Sequence, residues 1–283
     1  MKFVVFGSKG QLGREFCRVF EKDNINFEGY DLPEIDISDN IIIDKLISNS
    51  RPNVIINCAS FNDVGRAETD YNSAYKTNVL GVSNLAVCCK LHNIKFVHYS
   101  TDYVFDGNKK ELYTEDDVPN PLNNYGKSKL EGEQFVVNNL SNYLLFRLSW
   151  LYGDGKQNFM YKILNLIKNR DSISVSDDEF SIPTSTRLAA EITILALKNN
   201  LTGLFHLVNT GAASRYEWIK ELFEIKNINK PLIKAKMNDF NSPVKRPQFS
   251  ALSNEKISKA LNIAIPSWKE ELNKFFVNFD YII

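Results

Sequence analysis

The sequence predicts an α/β protein: a doubly wound parallel sheet with a smaller C-terminal part. Three observations predict it. Short, β-rich apolar runs alternate with amphipathic helical stretches through roughly the first 150 residues, the pattern of βαβ units. The first run ends in a glycine loop that opens a helix. Beyond Trp150 the alternation loosens into helical stretches and polar loops.

Taken in order, Phe3-Val4-Val5-Phe6 reads as a strand buried on both faces. An amphipathic stretch from Gln11 to Phe20 follows, then a strand over Asn26–Tyr30 that ends at Asp31. Asn40–Ser48 has a helical pattern, Val54–Asn57 is a third strand, and Thr69–His92 reads as one long helix. Lys95–Tyr99 is a fourth strand running into Ser100-Thr101-Asp102. After Pro119–Pro121 comes a helix carrying Tyr125 and Lys129, then a strand at Tyr143–Leu148. Asn158–Asn169 and Arg187–Asn199 look helical, and Leu204–Val208 reads as a strand. Ser214-x-x-Glu217 is a capping box opening another helix. Segment 226–250 is polar and shows no period, and Trp268–Val277 is a final helix. The domain division that results is a dinucleotide-binding core over 1–150, to which 187–210 returns, and a smaller part made of 151–186 and 211–283.

The chain has 283 residues, enough for one large domain or one large and one small. Hydrophobic residues make up 43% and the formal net charge is +0, so a core is available and nothing draws the chain to nucleic acid or an acidic membrane. Cys17, Cys58, Cys88 and Cys89 lack Cys-x-x-Cys spacing and read as reduced thiols, mostly in apolar segments. No apolar run approaches ~18 residues, so no membrane span is expected and the chain reads as cytosolic. His92, His98 and His206 have no metal spacing, and His98 reads as packed in a buried strand. Asp177-Asp178-Glu179 reads as an acidic surface loop rather than a metal cluster. Neither a Gly-x-Ser-x-Gly elbow nor a His-Glu-x-x-His occurs, which argues against those hydrolases.

The chemistry concentrates in an ordered set of residues. Tyr125 and Lys129 lie four apart on a helix, so phenol and ammonium project to one face. A fixed cation there is expected to favour phenolate and lower the phenol's pKa toward the working range. Gly7-Ser8-Lys9-Gly10-Gln11-Leu12-Gly13 follows the first strand, where glycines let the backbone approach a pyrophosphate held by helix N–H groups. Asp31, ending the second strand, is placed to bind ribose hydroxyls and to repel a 2′-phosphate, whereas Lys9 would attract one. The cofactor is therefore NADH or NADPH, with dual use open. Asn57-Cys58-Ala59-Ser60 supplies small residues beside the cofactor, with Asn57 fixing the chain. Thr101, at the carboxyl end of the fourth strand, could donate to a substrate carbonyl. Each residue alone has a plainer reading: a tight turn, a helix cap, a surface aromatic, a solvated lysine. Their order favours a hydride-transfer site.

Ser100-Thr101-Asp102-Tyr103-Val104-Phe105-Asp106-Gly107, followed by Pro121-x-x-x-Tyr125-Gly126-Lys127-Ser128-Lys129-x-x-Gly132-Glu133, resembles the extended short-chain dehydrogenase/reductases. Within them the chain is most similar to the dTDP-4-dehydrorhamnose reductases. Arg147-x-Ser149-Trp150-x-Tyr152-Gly153, Asn158-Phe159, Pro183-Thr184 and Arg246-Pro247-x-x-Ser250-x-Leu252 agree, so the resemblance spans nearly the whole chain. It implies a Rossmann core with a small sugar-binding domain, and reduction of the 4-keto group of a nucleotide-linked 6-deoxyhexose. Carried over residue by residue, Thr101, Tyr125 and Lys129 form the catalytic set. Trp150, Asp102 and the loop holding Asn62 and Val64 face the sugar, and Arg246, a planar donor, takes the diphosphate. Asn62-Asp63-Val64-Gly65-Arg66-Ala67-Glu68 departs from the usual Thr-x-Val-Asp-x-Ala-Glu, which leaves the sugar's identity open. Some members hold magnesium at a dimer contact through glutamates, so a homodimer is open, while Mg2+ is left possible but not predicted and no metal ligand is assigned. Glu15 matches one such position, but Arg187 stands where another is expected. The alternatives are a reductase or epimerase of another 4-keto nucleotide sugar, and a non-catalytic regulatory subunit that binds NAD(P).

Overall fold

The computed structural model describes residues 1–155 and 158–278. Strands β1 (Phe3–Phe6), β2 (Phe27–Tyr30), β3 (Val54–Asn57), β4 (Lys95–Thr101) and β5 (Tyr143–Leu148) join a last strand, Gly203–His206, in one sheet. The order is last strand, β5, β4, β3, β1, β2, and every pairing is parallel. The chain therefore leaves β1 toward β2 on one side and toward β3 on the other. A crevice opens at the carboxyl ends where the order reverses.

Alternation along β1 explains why the sheet is covered on both faces. Phe3 and Val5 pack with Leu12, Phe16 and Phe20 of helix α1 (Gln11–Lys22) and with Leu188, Ala189 and Ile192 of helix Thr186–Lys198. Val4 and Phe6 face the other layer, among Ile43 and Ile47 of helix α2 (Asn40–Ser50) and Val82, Leu85 and Ala86. A separate core gathers Trp150, Tyr152, Ile163, Trp218, Leu222, Trp268 and Phe275. It lies among helices Phe159–Lys168, Arg215–Ile225 and Trp268–Asn278.

Three expectations need correction. The stretch Thr69–His92 is not one helix: a short helix Val64–Thr69 ends, and Asp70 starts Tyr71–Tyr75 by accepting from the Ser73 N–H. A π-helical turn, Lys76–Gly81, then leads into Val82–His92. Segment 226–250 contains a strand, Leu232–Ala235, paired in parallel with Ile173–Ser176; half its residues are exposed, so no alternation marks it. The acidic triplet is not wholly on the surface, since Glu179 is buried against Arg215 and Tyr103.

Candidate active site

A cleft of about 570 Å³ opens along the carboxyl ends of β1, β3 and β4. Its lining brings together Gly7, Lys9, Gly10, Gln11, Leu12, Asp31, Asn57, Ala59 and Ser60 with Asn62, Thr101, Asp102, Tyr125, Lys129 and Trp150. Gly7 takes φ +73°, and a Cβ there would sit 2.5 Å from the Ala59 nitrogen. Gly13 stands behind the lining: its Cβ would meet the Gly7 carbonyl oxygen at 2.0 Å, so glycine lets α1 close onto the turn. No side chain caps α1 at Gly10, so its first N–H groups point at the cleft without a side-chain partner. Asn57 holds the third strand's end through the Ala59 N–H at 3.1 Å and His98 Nδ1 at 3.2 Å.

The lining fits a dinucleotide. Gln11 Oε1, Ser100 Oγ and Trp150 Nε1 are buried polar atoms without a hydrogen-bond partner among the described residues, and all three belong to residues of this cleft. Buried polar groups are ordinarily satisfied, so these three are open to a polar ligand in the cleft; His98 Nε2, Tyr152 Oη and Trp218 Nε1 are likewise without a partner but lie outside it.

Helix Asn124–Asn139 carries Tyr125 and Lys129. Asn123 caps it through the Gly126 N–H at 2.8 Å, and Glu68 accepts from the Asn124 N–H at 2.7 Å. Lys129 is 2% exposed and its Nζ donates to the Tyr99 carbonyl at 2.6 Å. Burial brings its pKa down to about 8, against the opposing pull of Glu133. Tyr125 moves contrary to expectation: burial pushes its phenol upward, with the Thr101 hydroxyl opposing and Asp102 reinforcing the rise. The Lys129 ammonium is engaged with the Tyr99 carbonyl instead. The phenol thus holds its proton, the state from which it can donate one.

Sequence reasoning missed Asn78, a buried residue of the π turn. Its amide bonds Phe61 N at 2.9 Å, Phe61 O at 3.0 Å, Ser60 Oγ at 3.1 Å and Ser128 Oγ at 3.0 Å. It ties the loop after β3 to the Tyr125 helix. A π turn inside a helix often marks such a site, but only the fold reveals these partners.

Asp102 lines the cleft, yet its carboxylate faces inward to Ser181 Oγ at 2.8 Å, Ser250 Oγ at 2.5 Å and Thr101 Oγ1 at 3.1 Å. Trp150 has φ +39°, stacks on Trp218 at 5.6 Å and carries the Arg215 guanidinium on its ring at 3.8 Å. Val64 opens helix Val64–Thr69 and lines neither this cleft nor the second cavity. Arg246 lies in that second cavity, of about 1430 Å³, with Arg170, Arg215, Phe159 and Val175. Its guanidinium donates to Tyr103 Oη at 2.9 Å. The Tyr103 ring meets the Tyr125 ring edge-on at 6.0 Å, so Tyr103 stands between the two cavities.

Where the resemblance puts a further glutamate for magnesium, this chain places a guanidinium. The Arg187 guanidinium pairs with Glu271 at 2.7 Å and Glu191 at 3.6 Å, and Glu15 is bonded to Arg18. Among the described residues no three His, Cys, Asp or Glu side chains are grouped to hold a metal. A guanidinium already supplies the cation.

The profile of the RmlD substrate binding domain family matches residues 1–280. The dTDP-4-dehydrorhamnose reductase of Aggregatibacter actinomycetemcomitans is 34% identical over 96% of this chain and 97% of its own length. The crystal structure of a dTDP-4-dehydrorhamnose reductase from Clostridium acetobutylicum superposes with a TM-score of 0.95 at 36% identity, covering 98% and 99% of the two chains. That of Bacillus anthracis, in complex with NADP, gives 0.95 at 32% identity, with the same coverage. The chain belongs to the RmlD substrate binding domain family.

Proposed function

We propose that this chain is an NAD(P)H-dependent oxidoreductase that reduces the 4-keto group of a nucleotide-linked 6-deoxyhexose, dTDP-4-dehydrorhamnose to dTDP-L-rhamnose. The observation carrying this reading is that Thr101, Tyr125 and Lys129 line the same cleft as the glycine turn. A reduced nicotinamide bound there supplies the hydride. Gly10–Gly13 and the start of α1 hold the pyrophosphate, Asp31 the adenosine ribose, and Lys129 the nicotinamide ribose. Thr101 and Tyr125 hold the ketone oxygen, and Tyr125 donates its proton to that oxygen. Trp150, with its free Nε1, faces the sugar, and the second cavity takes the nucleotide, with Arg246 or Arg215 at the diphosphate. The dinucleotide core is 1–150 with 187–210, and the sugar-nucleotide part 151–186 with 211–283. Four unpaired cysteines suit a reducing, cytosolic setting.

The test is to incubate the protein with dTDP-4-dehydrorhamnose and other 4-keto nucleotide sugars plus NADH or NADPH. Stoichiometric cofactor oxidation with the first sugar supports the reading. Conversion without net oxidation points to an epimerase, and no oxidation with any sugar points to a binding subunit.

A further inference from the structure

We propose that Glu34, through its ion pair with Lys9, sets this chain's choice between NADH and NADPH. The inference rests on the oxidoreductase reading and adds to it the residue that discriminates the two cofactors. Lys9 is in the glycine loop, and its backbone N–H donates to Asp31 Oδ2 at 2.7 Å. The other Asp31 oxygen accepts from the Leu32 N–H at 2.8 Å. Each carboxylate oxygen keeps lone-pair capacity for a ribose hydroxyl. The Lys9 ammonium turns away to Glu34, meeting both carboxylate oxygens at 2.9 Å. Lys9 and Asp31 line the cleft, and the exposed Glu34 does not.

The charges at this end favour a ribose with a free 2′-hydroxyl. Asp31, Glu34 and Asp36 face two ammoniums, Lys9 and Lys76, and Lys76 is already paired with Asp36 at 2.9 Å. A 2′-phosphate brings roughly two more negative charges. Of the described cations lining the cleft, Lys9 is the one at this end, since Lys129 belongs to the catalytic pair. To receive the phosphate it must leave Glu34, which then stands unpaired beside a dianion. A 2′-hydroxyl asks for none of this: Asp31 accepts it and the Lys9–Glu34 pair stays closed.

The gate is light. Both side chains are about three-fifths exposed, at 63% and 61%, and exposed pairs are weak and screened by salt. Lys9 can therefore swing at modest cost, and NADPH is disfavoured rather than refused. The lysine acts as a phosphate receptor only when the glutamate releases it.

The experiment is equilibrium titration of the full chain with NADH and with NADPH at low ionic strength, without sugar, for the wild type, Glu34→Gln, Lys9→Met and the double variant. Glu34→Gln is expected to tighten NADPH binding about three- to tenfold and to leave NADH within about twofold. Lys9→Met is expected to weaken NADPH selectively and to cancel the effect of Glu34→Gln in the double variant. Added salt should shrink the gain. Binding of both nucleotides with an unchanged NADPH-to-NADH ratio in Glu34→Gln, or the same shift in the Lys9→Met background, overturns the inference alone. Absence of binding by either nucleotide to the wild type overturns it together with the oxidoreductase reading.

Discussion

A phenol that keeps its proton and an ammonium that is ready to lose one share the helix Asn124–Asn139. Reduction needs an acid at the ketone oxygen, and Tyr125 is charged with a proton over the working range. Replacing it with phenylalanine removes the acid but little of the cavity wall. Turnover should fall about 10²–10⁴-fold with dinucleotide affinity nearly unchanged; near-normal turnover would end the assignment. Lys129 makes a pH prediction of opposite character. Its pKa is lowered to about 8, so the ammonium is present below that pH and lost above it. Dinucleotide affinity should therefore drop as pH rises through about 8, and the Lys129→Met variant, weaker throughout, should show no such step. A wild-type binding curve flat from pH 7 to 9.5 would contradict it.

Elements hold these groups by close backbone approach. The Cβ that Gly13→Ala adds would fall 2.0 Å from the Gly7 carbonyl oxygen, a backbone atom with no room to yield. Overpacking of this kind costs about 1–3 kcal/mol, and here the strain also opens the turn that we propose holds the pyrophosphate. The variant should melt several degrees lower and bind dinucleotide at least about tenfold more weakly. Gly65→Ala, whose Cβ would meet only Asp63 Oδ1 at 3.6 Å, is the matched control and should change stability by no more than about 0.5 kcal/mol. Equal behaviour of the two would refute the argument. What the sequence disclosed follows the same logic. β1, β3 and β5 are buried nearly throughout, so apolar runs bounded by turn residues announce them. The glycine loop and the Tyr125–Lys129 spacing are local patterns and could be read directly. The break at Asp70 could not be read, because a carboxylate capping Ser73 leaves the apolar pattern continuous. Nor could the partners of Asn78 and Glu179, which lie tens of residues away in the chain. The expected fall in the phenol's pKa reversed because burial, which spacing does not reveal, raises it, while the ammonium four residues on is engaged with the Tyr99 carbonyl.

Across the whole molecule, Asp102 joins the end of β4 to the C-terminal half. It follows Thr101 and accepts from Ser181 and Ser250, 79 and 148 residues further along. Burial raises its carboxyl from 3.8 to about 6, with the two serine hydroxyls and Thr101 pulling the other way. The sign is fixed by proton uptake. Below about pH 4 the carboxyl is protonated in both folded and unfolded chains and contributes nothing to the pH dependence. Between about pH 4 and 6 the folded chain binds the extra proton, so stability falls as pH rises; above 6 the full cost of the buried charge is present. A shift of that size is worth about 3 kcal/mol. Asp102→Asn keeps the shape and an acceptor oxygen but removes the charge, so its melting temperature should gain on the wild type between pH 4 and 7. Asp102→Ala should be less stable at every pH, because it takes the acceptor away from three buried hydroxyls, those of Thr101, Ser181 and Ser250, at about 1–3 kcal/mol each. Turnover separates the roles: if the carboxylate serves only to fix Thr101 against Ser181 and Ser250, Asp102→Asn retains most activity while Asp102→Ala loses it. Parallel melting curves for wild type and Asp102→Asn across that pH range would show that the charge is not borne in the buried form.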